Sequence, residues 1–262
     1  MTDITGIIFR RNGFNLNVMF DILITVAPKD HNKLPFVMES IYQHIKGYRD
    51  IFVVSPVAIS DEYMYMDAHW FIDREIADFD LSRIEPYRQG WYKQQFIKMF
   101  QNETADDYLV VDADVWINKN FDINPDHPTF FLGRNQDHQP YFKLMKAVLD
   151  LDKVYPYSFI CEMMFFKRDI IWEILKYNKR NKRSFVARCV DEIIKNGHPS
   201  GFSEYETYGN FVTKYYPELY SYKKINVLHN KKLRMWTTQE LRSLTDAHGN
   251  NGYDILTMHS YV

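Results

Sequence analysis

Tyr108-Leu109-Val110-Val111-Asp112-Ala113-Asp114-Val115 is the stretch that decides how this chain reads. An aromatic ring and three branched aliphatic residues in a row describe a buried strand, and that strand runs directly into two carboxylates. If the backbone stays extended, side chains alternate faces, so Asp112 and Asp114 point the same way and Ala113 the other. Two like charges at that spacing repel and resist dehydration unless a cation neutralises them. A hard divalent ion, Mg²⁺ or Mn²⁺, fits oxygen ligands and leaves coordination sites for substrate phosphates. The plainer alternative is a turn carrying two solvated aspartates, and the apolar run argues against it.

Working outward, short β-branched runs alternate with helical periodicity. A strand is expected over 20–27, ending at Ala27-Pro28-Lys29-Asp30, and a helix over 33–46 with Leu34, Phe36, Val37, Ile41 and Ile45 at helical spacing. Ile51-Phe52-Val53-Val54 is a second strand and Trp70-Phe71-Ile72 a weaker third. The alternation predicts an α/β fold with a parallel nucleus. In such open sheets, ligands bind outside the carboxyl ends of the strands, where the two aspartates lie. A helix over 89–101 puts Tyr92, Phe96, Met99 and Phe100 toward the core. Its neighbouring stripe of Trp91, Gln94, Gln95 and Lys98 is either a solvated face or the lining of the same cleft. Further strands are read at 128–133 and 159–166, and helices at 168–178 and 184–195.

Gly201-Phe202-Ser203-Glu204-Tyr205-Glu206-Thr207-Tyr208-Gly209-Asn210 is the second informative segment. Ser203 with Glu206 three residues on is a capping box, followed by Tyr205, Tyr208, Val212 and Tyr215 at helical spacing until Pro217. Capping accounts for Ser203 and Glu206. It leaves Glu204 as a first-turn carboxylate, favoured by the helix dipole and available for chemistry. Downstream, Ile225-Asn226-Val227-Leu228-His229 is a short strand ending in histidine, and His259 follows Ile255-Leu256-Thr257-Met258. Either imidazole could complete a carboxylate-plus-histidine metal site, although a lone histidine is more often structural.

Bulk properties narrow the classes. At 262 residues with 46% hydrophobic and 25% charged residues, the chain has an ordinary globular balance and length for a sizeable core. A net charge near −2 offers no polycationic surface, so nucleic acid is not an expected partner. The basic run Lys179–Arg183 reads as a solvated connection between helices. No stretch approaches the ~20 apolar residues of a membrane span. The opening segment lacks a signal-peptide cleavage pattern. Cys161 and Cys189 have no metal-type spacing and read as reduced thiols of a cytoplasmic protein. Aromatic residues make up 16%, most of them for the core, with tyrosines that would also suit a sugar-binding cleft.

Taken in order, these features resemble the GT-A glycosyltransferases, which use nucleotide-sugar donors. The opening βα unit with Thr25 to Asp30 at its turn, the DxD after an apolar strand, the carboxylate-bearing helix start and the strand ending in histidine all match, over roughly 18–230. The block Gly90-Trp91-Tyr92-Lys93-Gln94-Gln95 with Ser203–Glu206 is similar to a small subgroup of such proteins in bacteria and large viruses. The resemblance implies a single glycosyltransferase domain over 1–262, with an N-terminal extension (1–17), a GT-A-like core (18–230) and a C-terminal segment (231–262). Its fold would be a Rossmann-type mixed sheet flanked by helices. It implies Mn²⁺ or Mg²⁺ on Asp112 and Asp114, with His229 or His259 completing the site. Donor contacts would come from Thr25, Asp30, Gln94, Lys98 and Asp112, and the acceptor would be a carbohydrate or glycoconjugate hydroxyl. Glu204-Tyr205-Glu206 matches only loosely the acidic pair that the family carries at this helix start. Glu204 is expected to be the general base, with Glu206 retained by the cap, and inversion would follow. Two other classes share part of the pattern. A haloacid-dehalogenase-type phosphohydrolase also runs an apolar strand into Asp-x-Asp, but normally on its first strand. A non-catalytic nucleotide- or sugar-binding module would need only the pocket.

Overall fold

Phe20–Thr25, six buried residues, form β1 at the centre of a five-stranded sheet in a computed structural model. The structure describes residues 20–59, 65–67, 80–101, 104, 107–133, 137–177, 184–229, 237, 239–240, 243 and 252–258. The chain moves outward from β1 to β2 (Tyr48–Ser55) and β3 (Tyr65–Asp67), then crosses back to lay β4 (Asp107–Asp112) on the other side of β1. These four run parallel, and β7 (Met163–Lys167) closes the far edge antiparallel to β4. The order β3-β2-β1-β4-β7 explains why β1 and β4 are apolar throughout their middles: each has a neighbour on both sides and elements packed on its faces. It also creates a topological switch point, because the crossovers leave β1 and β4 in opposite directions.

Helices flank the sheet: α1 (Leu34–His44), α2 (Pro86–Phe100), α3 (Gln139–Leu149), α4 (Arg168–Lys176), α5 (Phe185–Asn196) and α6 (Glu204–Tyr215). A 3₁₀ turn over Pro28–Lys33 leads into α1. Pro86 opens α2, where a missing N–H costs nothing. Ser184 and Ser203 cap α5 and α6 by accepting from Ala187 N and Glu206 N. Two small sheets follow β4. In one, β10 (Ile255–Thr257) runs between β5 (Val115–Ile117), to which it is antiparallel, and β9 (Val227–His229), to which it is parallel. In the other, β6 (Thr129–Leu132) pairs in parallel with β8 (Ser221–Lys224).

Two sequence expectations are corrected, and two elements are new. The extended backbone does not continue through the DxD: β4 stops at Asp112, and Ala113-Asp114 form a turn. Strict alternation therefore does not set the relation of the two carboxylates. The strand read at 159–166 begins only at Met163, since Glu162 sits at φ 69°, a left-handed conformation no strand tolerates. Helix α3 and strand β8 were not expected at all. The N-terminal extension 1–17, the strand at Trp70–Ile72, the basic run Lys179–Arg183, most of 231–262 and His259 lie outside the described residues.

Candidate active site at the carboxyl edge of the sheet

The last pair in the β1–β4 register is Thr25 with Asp112. Both stand at the switch point, where the parallel strands end together. The two elements that supply the remaining polar groups, α2 and α6, are pinned to each other by stacking of Phe96 on Phe202 at 4.7 Å between ring centroids. Phe202 immediately precedes the Ser203 cap, so this contact sets where the first turn of α6 points.

The polar stripe of α2 is not a solvated face. Lys98 is 4% exposed, and its Nζ donates to Asp112 Oδ1 at 2.5 Å and to Glu204 Oε1 at 2.7 Å. Tyr205 donates its hydroxyl to the same Asp112 oxygen at 2.9 Å. The Lys98 ammonium also lies 4.7 Å from the Tyr205 ring centroid. Gln95, with its amide oriented to suit its neighbours, donates to Glu204 Oε2 at 2.9 Å and to the Phe202 carbonyl at 2.7 Å. Burial opposes the charge on Lys98, but two carboxylates in direct contact outweigh it and raise its pKa. Burial pushes Glu204 up, Lys98 pulls it down and the Asp112 charge pushes it up again, leaving it raised. One cation thus serves two acids, and the site retains an excess negative charge.

This gives Glu204 a task that the sequence did not suggest. The expectation that it stands free toward the cleft is corrected: at 3% exposure both its oxygens are engaged. Glu206 also departs from the expected capping box. Its backbone N–H donates to Ser203 Oγ at 3.3 Å, but its carboxylate accepts from Ser158 Oγ at 2.5 Å and Asn210 Nδ2 at 3.2 Å. Burial pushes its pKa up to about 7, with these donors opposing the rise.

The remaining expected residues fall at distinct places. Gln94 donates to the Thr25 carbonyl at 2.8 Å, fastening α2 to the end of β1. The Thr25 hydroxyl is buried with no partner among the described residues. Asp30 pairs with Lys33 at 2.6 Å in the 3₁₀ turn. Beside it His31 meets Ser55 Oγ at 3.0 Å at the end of β2; nothing in the sequence pattern singled out that pair. The Asp114 carbonyl accepts from Met258 N at 2.6 Å, tying the DxD turn to the end of β10. His229 Nδ1 lies 3.2 Å from Thr257 Oγ1 and 3.9 Å from Glu162 Oε1. Glu162 itself, which sequence reasoning missed, receives the Asp112 N–H on its carbonyl at 2.9 Å.

The donor chemistry suits a hard divalent ion held mainly by substrate. Asp112 Oδ1 is spent on Lys98 and Tyr205, whereas Oδ2 has no hydrogen-bond partner among the described residues. Asp114 follows, half-buried, in the turn after β4. Among the described residues no group of three or more histidine, cysteine or acidic side chains converges as a protein-only cage. One or two carboxylates completed by phosphate oxygens and water match Mg²⁺ or Mn²⁺ in nucleotide sites.

No family model matches the chain, and no curated protein matches it. Among solved structures it is similar to the apo form of mouse xyloside xylosyltransferase 1, at 12% identity and TM-score 0.49, covering 92% of this chain and 97% of that one. It is similar to an active-site mutant of LgtC, at 12% identity and TM-score 0.46, covering 92% and 88%. The apo bifunctional glycosyltransferase WbbM aligns at 9% identity and TM-score 0.47, covering 95% of this chain and 47% of that one.

Proposed function

We propose that this protein is a metal-dependent glycosyltransferase that moves a sugar from a nucleotide-diphosphate donor to a hydroxyl of a carbohydrate or glycoconjugate acceptor. The observation that carries this reading is the locked Asp112 at the β1–β4 switch point, followed in the next turn by Asp114. Lys98 and Tyr205 fix one oxygen of Asp112 and leave the other toward the position a divalent ion would share with a diphosphate. Such an ion, when bound, supplies Lewis-acid stabilisation of the charge developing on the departing diphosphate.

The chain's own residues hold the arrangement. Thr25 and the 3₁₀ turn with Asp30 border the place of the nucleoside. Lys98 keeps Asp112 oriented and offsets negative charge beneath the diphosphate. Glu204 and Gln95 hold Lys98 in turn, so Glu204 supports the site through Lys98 instead of meeting the acceptor. The expected inversion rested on Glu204 as a free base and is not part of this proposal.

Slow donor hydrolysis provides the test. With Mn²⁺, a panel of nucleotide sugars should show release of nucleoside diphosphate from at least one donor, and phosphomonoesters should be inert. Turnover of phosphomonoesters alone would favour a phosphohydrolase, and binding without turnover of any donor, acceptors included, a binding module.

A further inference from the structure

Glu162 touches both halves of the candidate site, and no part of the function proposed above uses it. It is 3% exposed and adopts φ 69°, a conformation that disfavours any residue with a side chain and persists only where its surroundings enforce it. Asp150 is the other positive-φ residue among the described non-glycines, and it has an ordinary explanation as the left-handed cap of α3. Glu162 ends no helix. Its backbone carbonyl accepts the Asp112 N–H at 2.9 Å, which continues the β4–β7 ladder one step past Val111–Met163. Its carboxylate faces His229 Nδ1 at 3.9 Å.

Thr257 is a second neighbour of the imidazole. Thr257 Oγ1 reaches the Leu228 carbonyl at 3.4 Å, and when its proton goes there it can accept from His229 Nδ1 at 3.2 Å. An acceptor hydroxyl and a carboxylate on the same side favour the tautomer with the proton on Nδ1, which puts the ring lone pair on Nε2. A carboxylate behind a histidine is the arrangement that orients an imidazole toward a metal and raises its basicity.

We propose that Glu162 is a positioning residue that couples the two parts of the site: its backbone sets Asp112, while its carboxylate sets the tautomer and orientation of His229. The strained backbone follows from this double duty, since one residue must send its carbonyl to β4 and its side chain to β9. The link to metal binding rests on the function proposed above, whereas the link to His229 does not.

Glu162→Gln keeps the shape and removes the charge; Glu162→Gly removes the side chain and relieves the backbone. In metal-free protein, ring ¹⁵N shifts of His229 should move toward the Nε2–H tautomer in both variants. Titration with Mn²⁺, alone and with a nucleoside diphosphate, should show affinity weakened about 10–100-fold, as for other outer-shell partners of metal ligands, with Glu162→Gly melting at or above the wild type. Unchanged His229 shifts in Glu162→Gln would overturn the proposal, as would unchanged Mn²⁺ affinity in both variants. If the wild type binds no Mn²⁺, alone or with a nucleoside diphosphate, the reading of the site as a metal centre fails, and the metal-free His229 shifts still decide the role of Glu162.

Discussion

Lys98 Nζ sits 2.5 Å from Asp112 Oδ1, in a position where the ammonium is almost wholly buried. Since Glu204 lies 2.7 Å from the same nitrogen, removing the cation leaves two close carboxylates unneutralised. Breaking a buried ion pair from one side costs about 3–5 kcal/mol. Lys98→Met should lose stability of that order at neutral pH. The gap to wild type should narrow as pH falls, because protonated carboxylates no longer repel. Denaturant melts at several pH values check this, and a gap independent of pH would contradict it.

Glu204→Gln separates support from base catalysis. A general base contributes about 10²–10⁴-fold to turnover, and its loss would leave ground-state donor binding untouched. If Glu204 acts through Lys98, its glutamine variant should instead weaken Mn²⁺-dependent nucleotide binding and lower the melting temperature. A pure loss of kcat, with binding and melting unchanged, would return Glu204 to the role of base.

Glu206 makes stability depend on pH in an unusual direction for a carboxylate. Its pKa rises from 4.5 to about 7 on folding, so between those values the folded state binds the extra proton. Stability is fully present below the unfolded value and falls as pH rises through the folded one, by at most about 3 kcal/mol. The wild type should therefore lose stability between pH 5 and pH 8 relative to Glu206→Gln. Parallel pH dependences in the two proteins would contradict the assignment.

Gly209 lies on α6 against Phe159: a Cβ there would stand 2.2 Å from the ring. Gly209→Ala gains helix propensity, about 1 kcal/mol, but must push away the ring that anchors the Ser158–Glu162 segment. Overpacking of this kind costs about 1–3 kcal/mol. Thermal melting should show net destabilisation, and an unchanged or raised melting temperature would show that Phe159 moves freely.

How much of this was legible in the sequence follows from the kind of signal each element carries. The apolar strands β1, β2 and β4 announce themselves, because a strand with neighbours on both sides has no polar face to blur the pattern. Helix α6 was legible through its serine cap and tyrosine spacing. Helix α3 was missed although Tyr141, Phe142, Met145, Val148 and Leu149 carry helical spacing after Pro140. Strand β8, Ser-Tyr-Lys-Lys with two exposed lysines, has no pattern to read. At the site, the DxD and the α2 stripe were visible as residue types. That Lys98 joins Asp112 to Glu204 was not, since that contact spans 106 residues and depends on how α2 and α6 pack. Glu162 gave no signal, because positive φ at a glutamate is a property of its surroundings.

Asp112 and Asp114 are proposed to bind a nucleoside diphosphate through a divalent ion. Calorimetric titration of a panel of nucleoside diphosphates, with and without Mn²⁺, into wild type and Asp114→Asn tests it most directly. At least one nucleotide should bind the wild type only when Mn²⁺ is present, and Asp114→Asn should lose that binding while its melting in metal-free buffer stays normal. Binding that ignores Mn²⁺, or that survives unchanged in Asp114→Asn, would contradict it.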